Sequence, residues 1–207
     1  MKIQKFYPYI LILLSAVGLL ASAILTNDAI LLAKNPEADL PCNINPFLSC
    51  TSVAKVWQSS VFGFPNAILG TIAFSLLFFF FLALLLNTIE RESLAEKVFG
   101  VNKHRKIFWS LVNVGTLASV IFAIWFAYES IFVLRTLCIY CMVVWSVTWP
   151  IFLYTTIWNI KESHFSLNKI HKNFDSILIK NHKEILLTWY IIIVSTILIQ
   201  FRDFFIY

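Results

Sequence analysis

Five stretches of this chain, Tyr9 to Thr26, Pro65 to Ile89, Ile107 to Tyr128, Leu137 to Ile160 and Ile185 to Phe201, contain no Asp, Glu, Lys, Arg or His. Each approaches or exceeds the roughly 20 apolar residues that cross a bilayer as a helix. Hydrocarbon offers no partner to a free peptide group, so a continuous run of this kind is stable there only as a helix that closes its own hydrogen bonds. The expected fold class is therefore all-α, a polytopic membrane protein. With 59% hydrophobic and 13% charged residues, the chain is not an ordinary soluble domain. Lys2, Lys5, the first apolar run and Ala21-Ser22-Ala23 also fit a cleaved secretory signal. An uncleaved first span is the simpler reading, because the run exceeds a signal core and four more spans follow.

Lysine and arginine set the expected orientation, since they accumulate in cytoplasmic loops near span ends. Lys2, Lys5, Arg91, Lys97, Lys103, Arg105, Lys106, Lys161, Lys169, Lys172, Lys180 and Lys183, twelve in all, fall on the side of the N-terminus. Lys34, Lys55, Arg135 and Arg202, four in all, fall on the other. The N-terminus is thus expected in the cytoplasm, and the C-terminus outside. The net charge of +5 follows from this topology and calls for no nucleic acid.

All four cysteines, Cys42, Cys50, Cys138 and Cys141, then lie on the outer side. That is the oxidising compartment in which disulfides persist, so no metal site is expected of them. His104, His164, His171 and His182 fall on the cytoplasmic side and are expected as solvated loop residues. Cys138-Ile139-Tyr140-Cys141 is a C-x-x-C at a helix start, where unpaired amides favour a thiolate. Alone, it is equally a redox pair or a structural clasp. Cys42 and Cys50 lie in a loop whose Pro36, Pro41 and Pro46 resist helix formation. Thiol exchange needs a thiolate to reach a disulfide sulfur, so a loop pair free to move beside an embedded pair suits a relay. A staple holding an outer segment is the other reading.

After Cys50, Val53, Val56, Trp57, Ser60 and Val61 recur at helical spacing, with Lys55 and Gln58 on another face. The spacing predicts one short interfacial helix over Thr51–Phe62, lying across the outer mouth of the bundle. Trp57 and Phe62 also suit ordinary interfacial aromatics.

Pro41-Cys42-Asn43, Asn45-Pro46, Ser49-Cys50, Ser52-Val53, Gln58-Ser59, Phe62-Gly63-Phe64-Pro65-Asn66, Leu69-Gly70 and the terminal C-x-x-C together resemble the vitamin K epoxide reductase family, specifically its bacterial members. The likeness runs from Met1 to about Ile160. It implies a four-helix transmembrane bundle over residues 1–160 with an outer cysteine loop at 27–64. Beyond it come an amphipathic cytoplasmic connection over 161–184 and a fifth transmembrane helix over 185–207, with no fused thioredoxin domain. The resemblance further implies a quinone, ubiquinone or menaquinone, as electron acceptor near the outer face. Cys42 is similar to the cysteine that exchanges with a partner, Cys50 to the one that passes electrons to Cys138, and Cys141 to the one that reduces the quinone. Asn66 matches a quinone-facing asparagine, with a helix cap as its other reading. Phe62 and Trp145 are candidate walls of the quinone site.

Lys55 and Val56 stand where the family usually carries hydroxyls, and Trp145 stands where animal members have tyrosine. The second difference keeps an aromatic wall without its hydroxyl and favours plain quinone reduction over epoxide chemistry. The expected activity is that of a quinone-dependent disulfide oxidoreductase in the bacterial cytoplasmic membrane, reoxidising a separate thioredoxin-fold dithiol protein outside. A second class of quinone-linked disulfide generator places its C-x-x-C in the first outer loop, whereas here it comes last. A transporter with structural disulfides lacks intramembrane charges in the five runs, and a passive scaffold remains a third alternative. Between Lys161 and Glu184, five lysines mix with Phe165, Leu167, Ile170, Phe174, Ile177 and Leu178, and this segment is expected to rest on anionic headgroups.

Overall fold

The computed structural model describes residues 7–89, 102–161 and 177–202. Helices dominate, as the apolar runs require: α1 (Tyr7–Lys34), the short α2 (Cys50–Ala54), α3 (Asn66–Ile89), α4 (Asn102–Tyr128), α5 (Ile139–Lys161) and α6 (His182–Gln200). All but α2 are long and apolar enough to cross a membrane, so this is a multi-pass membrane protein. No named strand occurs among the described residues.

α1 packs along α3 and α5, and α4 packs along α5, which makes α5 the most enclosed span. Lipid is as apolar as leucine, so contacts between spans depend on close approach and polar cross-links rather than on hydrophobic burial. Gly18 permits that approach, because a Cβ there would collide with the Phe74 ring. Farther along the same seam, Gly70 faces Ser22, and the hydroxyls of Thr26 and Thr71 share a hydrogen bond of 3.0 Å.

α1 continues two turns beyond the apolar run that stops at Thr26, reaching Lys34. At 1.5 Å per residue its 28 residues span about 42 Å, more than the hydrocarbon core. Asp28 does not end the helix: its side chain turns inward and is buried, while Ala29 to Ala33 continue with good helix formers.

Pro150 interrupts α5 and deprives the Ser146 carbonyl of its usual helical donor. Tyr190 of α6 supplies a replacement, donating its hydroxyl to that carbonyl at 2.6 Å. Beside it, Trp189 stacks on Trp149 with ring centroids 4.6 Å apart. Otherwise α6 lies at the periphery, with Leu187, Ile191, Ile192, Leu198 and Ile199 exposed. The fifth span is therefore docked through a few specific groups.

Two expectations are corrected. His182 is no solvated loop residue: it opens α6 and is buried, its Nδ1 2.9 Å from the Ile179 carbonyl and its ring edge-on to Tyr154 at 5.9 Å. Packing of the fifth span's first turn against α5 brings it in. His104 lies in the first turn of α4, and His164 and His171 lie outside the described residues. The basic connection falls mostly on residues 162–176, also outside them.

The single helix expected over Thr51–Phe62 is instead two pieces, α2 and a 3₁₀ turn at Trp57–Ser60, divided at an extended Val56. Ser59 holds the break by donating its hydroxyl to the carbonyls of Ala54 at 2.8 Å and Val56 at 2.7 Å. Beyond the break the faces swap: Gln58 is buried like Val53, while Trp57 and Val61 are exposed like Lys55. Gln58 finds a polar partner inside, its amide donating to Glu129 Oε2 at 3.2 Å. Gly63, at φ +81°, turns the chain toward α3 in a conformation that suits glycine.

Candidate active site

The proline-bearing loop after α1 is not helical, and its own side chains fold it tightly. Ile44 N–H donates to the Leu48 carbonyl at 3.0 Å, and Leu48 N–H to the Asn45 carbonyl at 3.0 Å. Asn43 is the hub. Its amide donates to Asp39 at 2.7 Å and to the Thr51 hydroxyl at 2.8 Å, while its oxygen accepts from the Ser49 hydroxyl at 3.0 Å and Thr51 N–H at 3.2 Å. Ser49 then caps α2 by accepting from Ser52 N–H at 3.2 Å. Cys50 is the first residue of that helix and is disulfide-bonded to Cys42. The loop pair, expected to be free to move, is buried in this arrangement, with Cys42 4% and Cys50 2% exposed.

A short backbone pairing brings the loop to the second pair. Leu137 N–H donates to the Phe47 carbonyl at 2.7 Å, and Ser49 N–H donates to the Leu137 carbonyl at 3.0 Å, forming a bridge between Leu48 and Leu137. Cys50 follows Leu48 by two residues, and Cys138 follows Leu137 by one. Their sulfurs consequently lie 3.4 Å apart. Cys138 directly precedes α5, where Cys141 N–H donates to its sulfur at 3.4 Å. Both Cys138 and Cys141 are free and buried.

A cavity of about 680 Å³ opens inside the bundle directly against these sulfurs, lined by Cys50, Cys138 and Cys141 but not by Cys42. Leu25, Phe74, Phe122, Phe126 and Ile151 contribute apolar wall, while Lys55, Ser59 and Ser60 add polar groups. This is the size and character of a small-molecule site. All three candidate ligand contacts reach it. Trp145 is buried in the wall, edge-on to Phe126 at 6.4 Å, whereas Phe62 is exposed and close to Phe64.

Asn66 lines the same cavity, and its amide is already engaged with the peptide backbone. Its Nδ2 donates to the Gln58 carbonyl at 2.7 Å, and its Oδ1 accepts from Val61 N–H at 3.2 Å, tying the 3₁₀ turn to the start of α3. One N–H and one lone pair are left over. Asn66→Ala is expected to lower stability by about 1–2 kcal/mol, read as an earlier thermal transition in detergent. An unchanged transition with weakened binding of a ligand in the cavity would show that ligand contact alone accounts for the residue.

Sequence patterns did not single out the Leu48–Leu137 bridge, the Asn43 hub or the Gln58–Glu129 pair. Nor did they place Asp28, whose buried Oδ2 has no hydrogen-bond partner, in the helical interior. Asn43 and Gln58 stood in stretches that carry the family resemblance, but no partner was assigned to either from the sequence.

A family model described as the Vitamin K epoxide reductase family matches residues 9–156, more than two thirds of the chain, and the matched region contains all four cysteines and the cavity. No curated protein matches the chain. The chain belongs to that family, and with it to the membrane oxidoreductases that generate disulfides.

Proposed function

We propose that this member of the vitamin K epoxide reductase family passes electrons from a thioredoxin-fold dithiol partner, through Cys42–Cys50 and then Cys138–Cys141, to a quinone. The observation that carries the reading is the 3.4 Å approach of Cys50 to Cys138 beside a cavity that Cys141 also lines. Two sulfurs held in van der Waals range satisfy the geometric need of thiol exchange. A scaffold or transporter gives no reason for that juxtaposition.

The cycle balances in four exchanges. A partner thiolate attacks Cys42, the Cys42–Cys50 bond breaks, and Cys50 leaves as a thiolate. The partner's second thiol attacks its own mixed-disulfide sulfur, so the partner departs oxidised and Cys42 is released as a thiol. Cys50 then attacks Cys138 of a Cys138–Cys141 disulfide, expelling Cys141 as a thiolate. Finally Cys42 attacks Cys50 in the Cys50–Cys138 bond, restoring the loop disulfide and leaving Cys138 and Cys141 both reduced. That is the arrangement of bonds in the structure. When Cys138 and Cys141 re-form their disulfide they release two electrons and two protons. A bound quinone supplies the acceptor for them, and the apolar cavity with aromatic walls and the Asn66 amide fits its ring.

The cysteine end of the bundle is assigned to the outer face of a bacterial cytoplasmic membrane, where quinone-coupled oxidation maintains disulfide formation. The positive charge of the opposite loops supports that orientation. Because Cys42 is buried, a partner must lift the loop between the exposed Pro41 and Ile44 to reach it.

With Cys50→Ala, Cys42 is left as a lone thiol. After mild oxidation in cells it is expected to hold a mixed disulfide with a thioredoxin-fold protein of the outer compartment, identified by mass spectrometry. Capture of cytoplasmic thiol proteins alone would reject both the orientation and the partner.

A further inference from the structure

The family match ends inside α5, so the fifth span lies wholly beyond it. Most of α6 presents exposed apolar side chains, as a simple membrane anchor does. Its closing residue does not. Phe201, the residue that closes α6, is 1% exposed and belongs to the same packed cluster as Cys42, Cys50, Leu137, Cys138 and Cys141. Its ring centroid lies 5.9 Å from that of Phe47. Phe47 stands between the loop cysteines, and its carbonyl accepts the Leu137 N–H that registers the two pairs.

We infer that Phe201 is a positioning residue: the fifth span reaches back to the cysteine loop and clamps Phe47 against Leu137, which sets the Cys50-to-Cys138 transfer. The loop is folded tightly on itself, but its register against Leu137 is set by a short contact: two backbone hydrogen bonds join it to Leu137, and among the described residues the pairing extends no farther as a strand. The loop must also open to expose Cys42, which is buried under the same packing. A large apolar ring behind Phe47 favours the closed arrangement without a covalent tie, so the loop opens and then returns to one register. Docking of α6 through Tyr190 on Ser146 and Trp189 on Trp149 keeps the ring at the required height.

This inference rests on the relay reading, and its test separates the two. In a Cys42→Ala, Cys141→Ala background only Cys50 and Cys138 remain. Oxidation by diamide, which takes up two electrons and two protons, joins them, and alkylation followed by peptide mass spectrometry gives the rate. Adding Phe201→Ala is expected to slow that bond about 10- to 100-fold, the effect of a displacement near 1 Å on a proximity-controlled step. Phe201→Leu, which retains apolar bulk, is expected to restore most of the rate. Leu198→Ala, on the exposed face of α6, is expected to leave it unchanged.

A Cys50–Cys138 bond that forms equally fast with Phe201→Ala would overturn the clamp and leave the relay standing. Failure of the parent pair to join would overturn both. In a Cys138→Ala, Cys141→Ala background, Phe201→Ala is expected to leave closure of Cys42–Cys50 unaltered. An equal slowing there would mean general damage to the fold and would likewise reject the clamp.

Discussion

Cys141→Ala is expected to abolish quinone-dependent oxidation of a partner dithiol, by at least about a thousandfold, as removal of a reacting nucleophile does. Without Cys141, Cys138 has no neighbour with which to re-form the inner disulfide, so electrons have no exit from the protein. The variant carries a second signature. Cys138 still lies 3.4 Å from Cys50, so its thiolate can attack Cys50 of the Cys42–Cys50 disulfide and expel Cys42 as a thiolate, and the resulting Cys50–Cys138 disulfide should appear in a non-reducing peptide map. Proteoliposomes containing the variant, a quinone and a reduced thioredoxin-fold protein give both readouts together. Undiminished turnover would make the four cysteines structural and sink the relay. Cys141 is buried, and its replacement by alanine removes one sulfur, so the fold itself is expected to survive.

Leu137→Pro tests whether the backbone bridge, rather than the cysteines' general proximity, sets the transfer. Proline removes the N–H that donates to Phe47 at 2.7 Å. Because Leu137 precedes α5, the change breaks no hydrogen bond within that helix. Exchange between the pairs is expected to fall about a hundredfold, while Cys42–Cys50 and Cys138–Cys141 each still close when oxidised separately. Leu137→Met keeps both the amide and the apolar bulk, and should transfer electrons at nearly the parent rate. Quenched-flow alkylation of the four thiols after mixing with a dithiol distinguishes these steps. Equal rates for the proline and methionine variants would show that the sulfurs find each other without the bridge.

What could be read beforehand divides by the range of the interaction. The five spans were legible because each is a local excess of apolar residues, and no tertiary contact is needed to forbid a charge in hydrocarbon. The C-x-x-C and its place at a helix start were legible for the same reason, since Cys138 and Cys141 are three residues apart. Helix ends were harder. α1 passes the polar Asn27-Asp28 because Asp28 finds an interior position, and the Thr51–Phe62 pattern breaks because Ser59 and Asn66 engage backbone around Val56 and Gln58.

His182 illustrates the limit from the other direction. Its neighbours Asn181, Lys183 and Glu184 are polar, and every local rule places it in water; the ring of Tyr154 on another helix buries it. Phe201 likewise ends an apolar run and reads as one more lipid contact until Phe47, 154 positions earlier in the chain, is brought against it.

Hydropathy along the chain is enough for an all-α membrane protein with five spans, and the spacing and order of the cysteine pairs with the Phe62–Asn66 stretch carried the resemblance that the family match bears out. These depend on hydropathy and on spacing along one chain. The resemblance already implied that Cys50 serves Cys138; tertiary structure decided the 3.4 Å at which those sulfurs meet, the burial of Cys42, and that Cys50, Cys138 and Cys141 line the cavity. A sulfur-to-sulfur distance depends on a two-bond backbone bridge between residues 48 and 137 and on the packing behind it. No local pattern encodes that pairing, because its partners become neighbours only when the bundle closes.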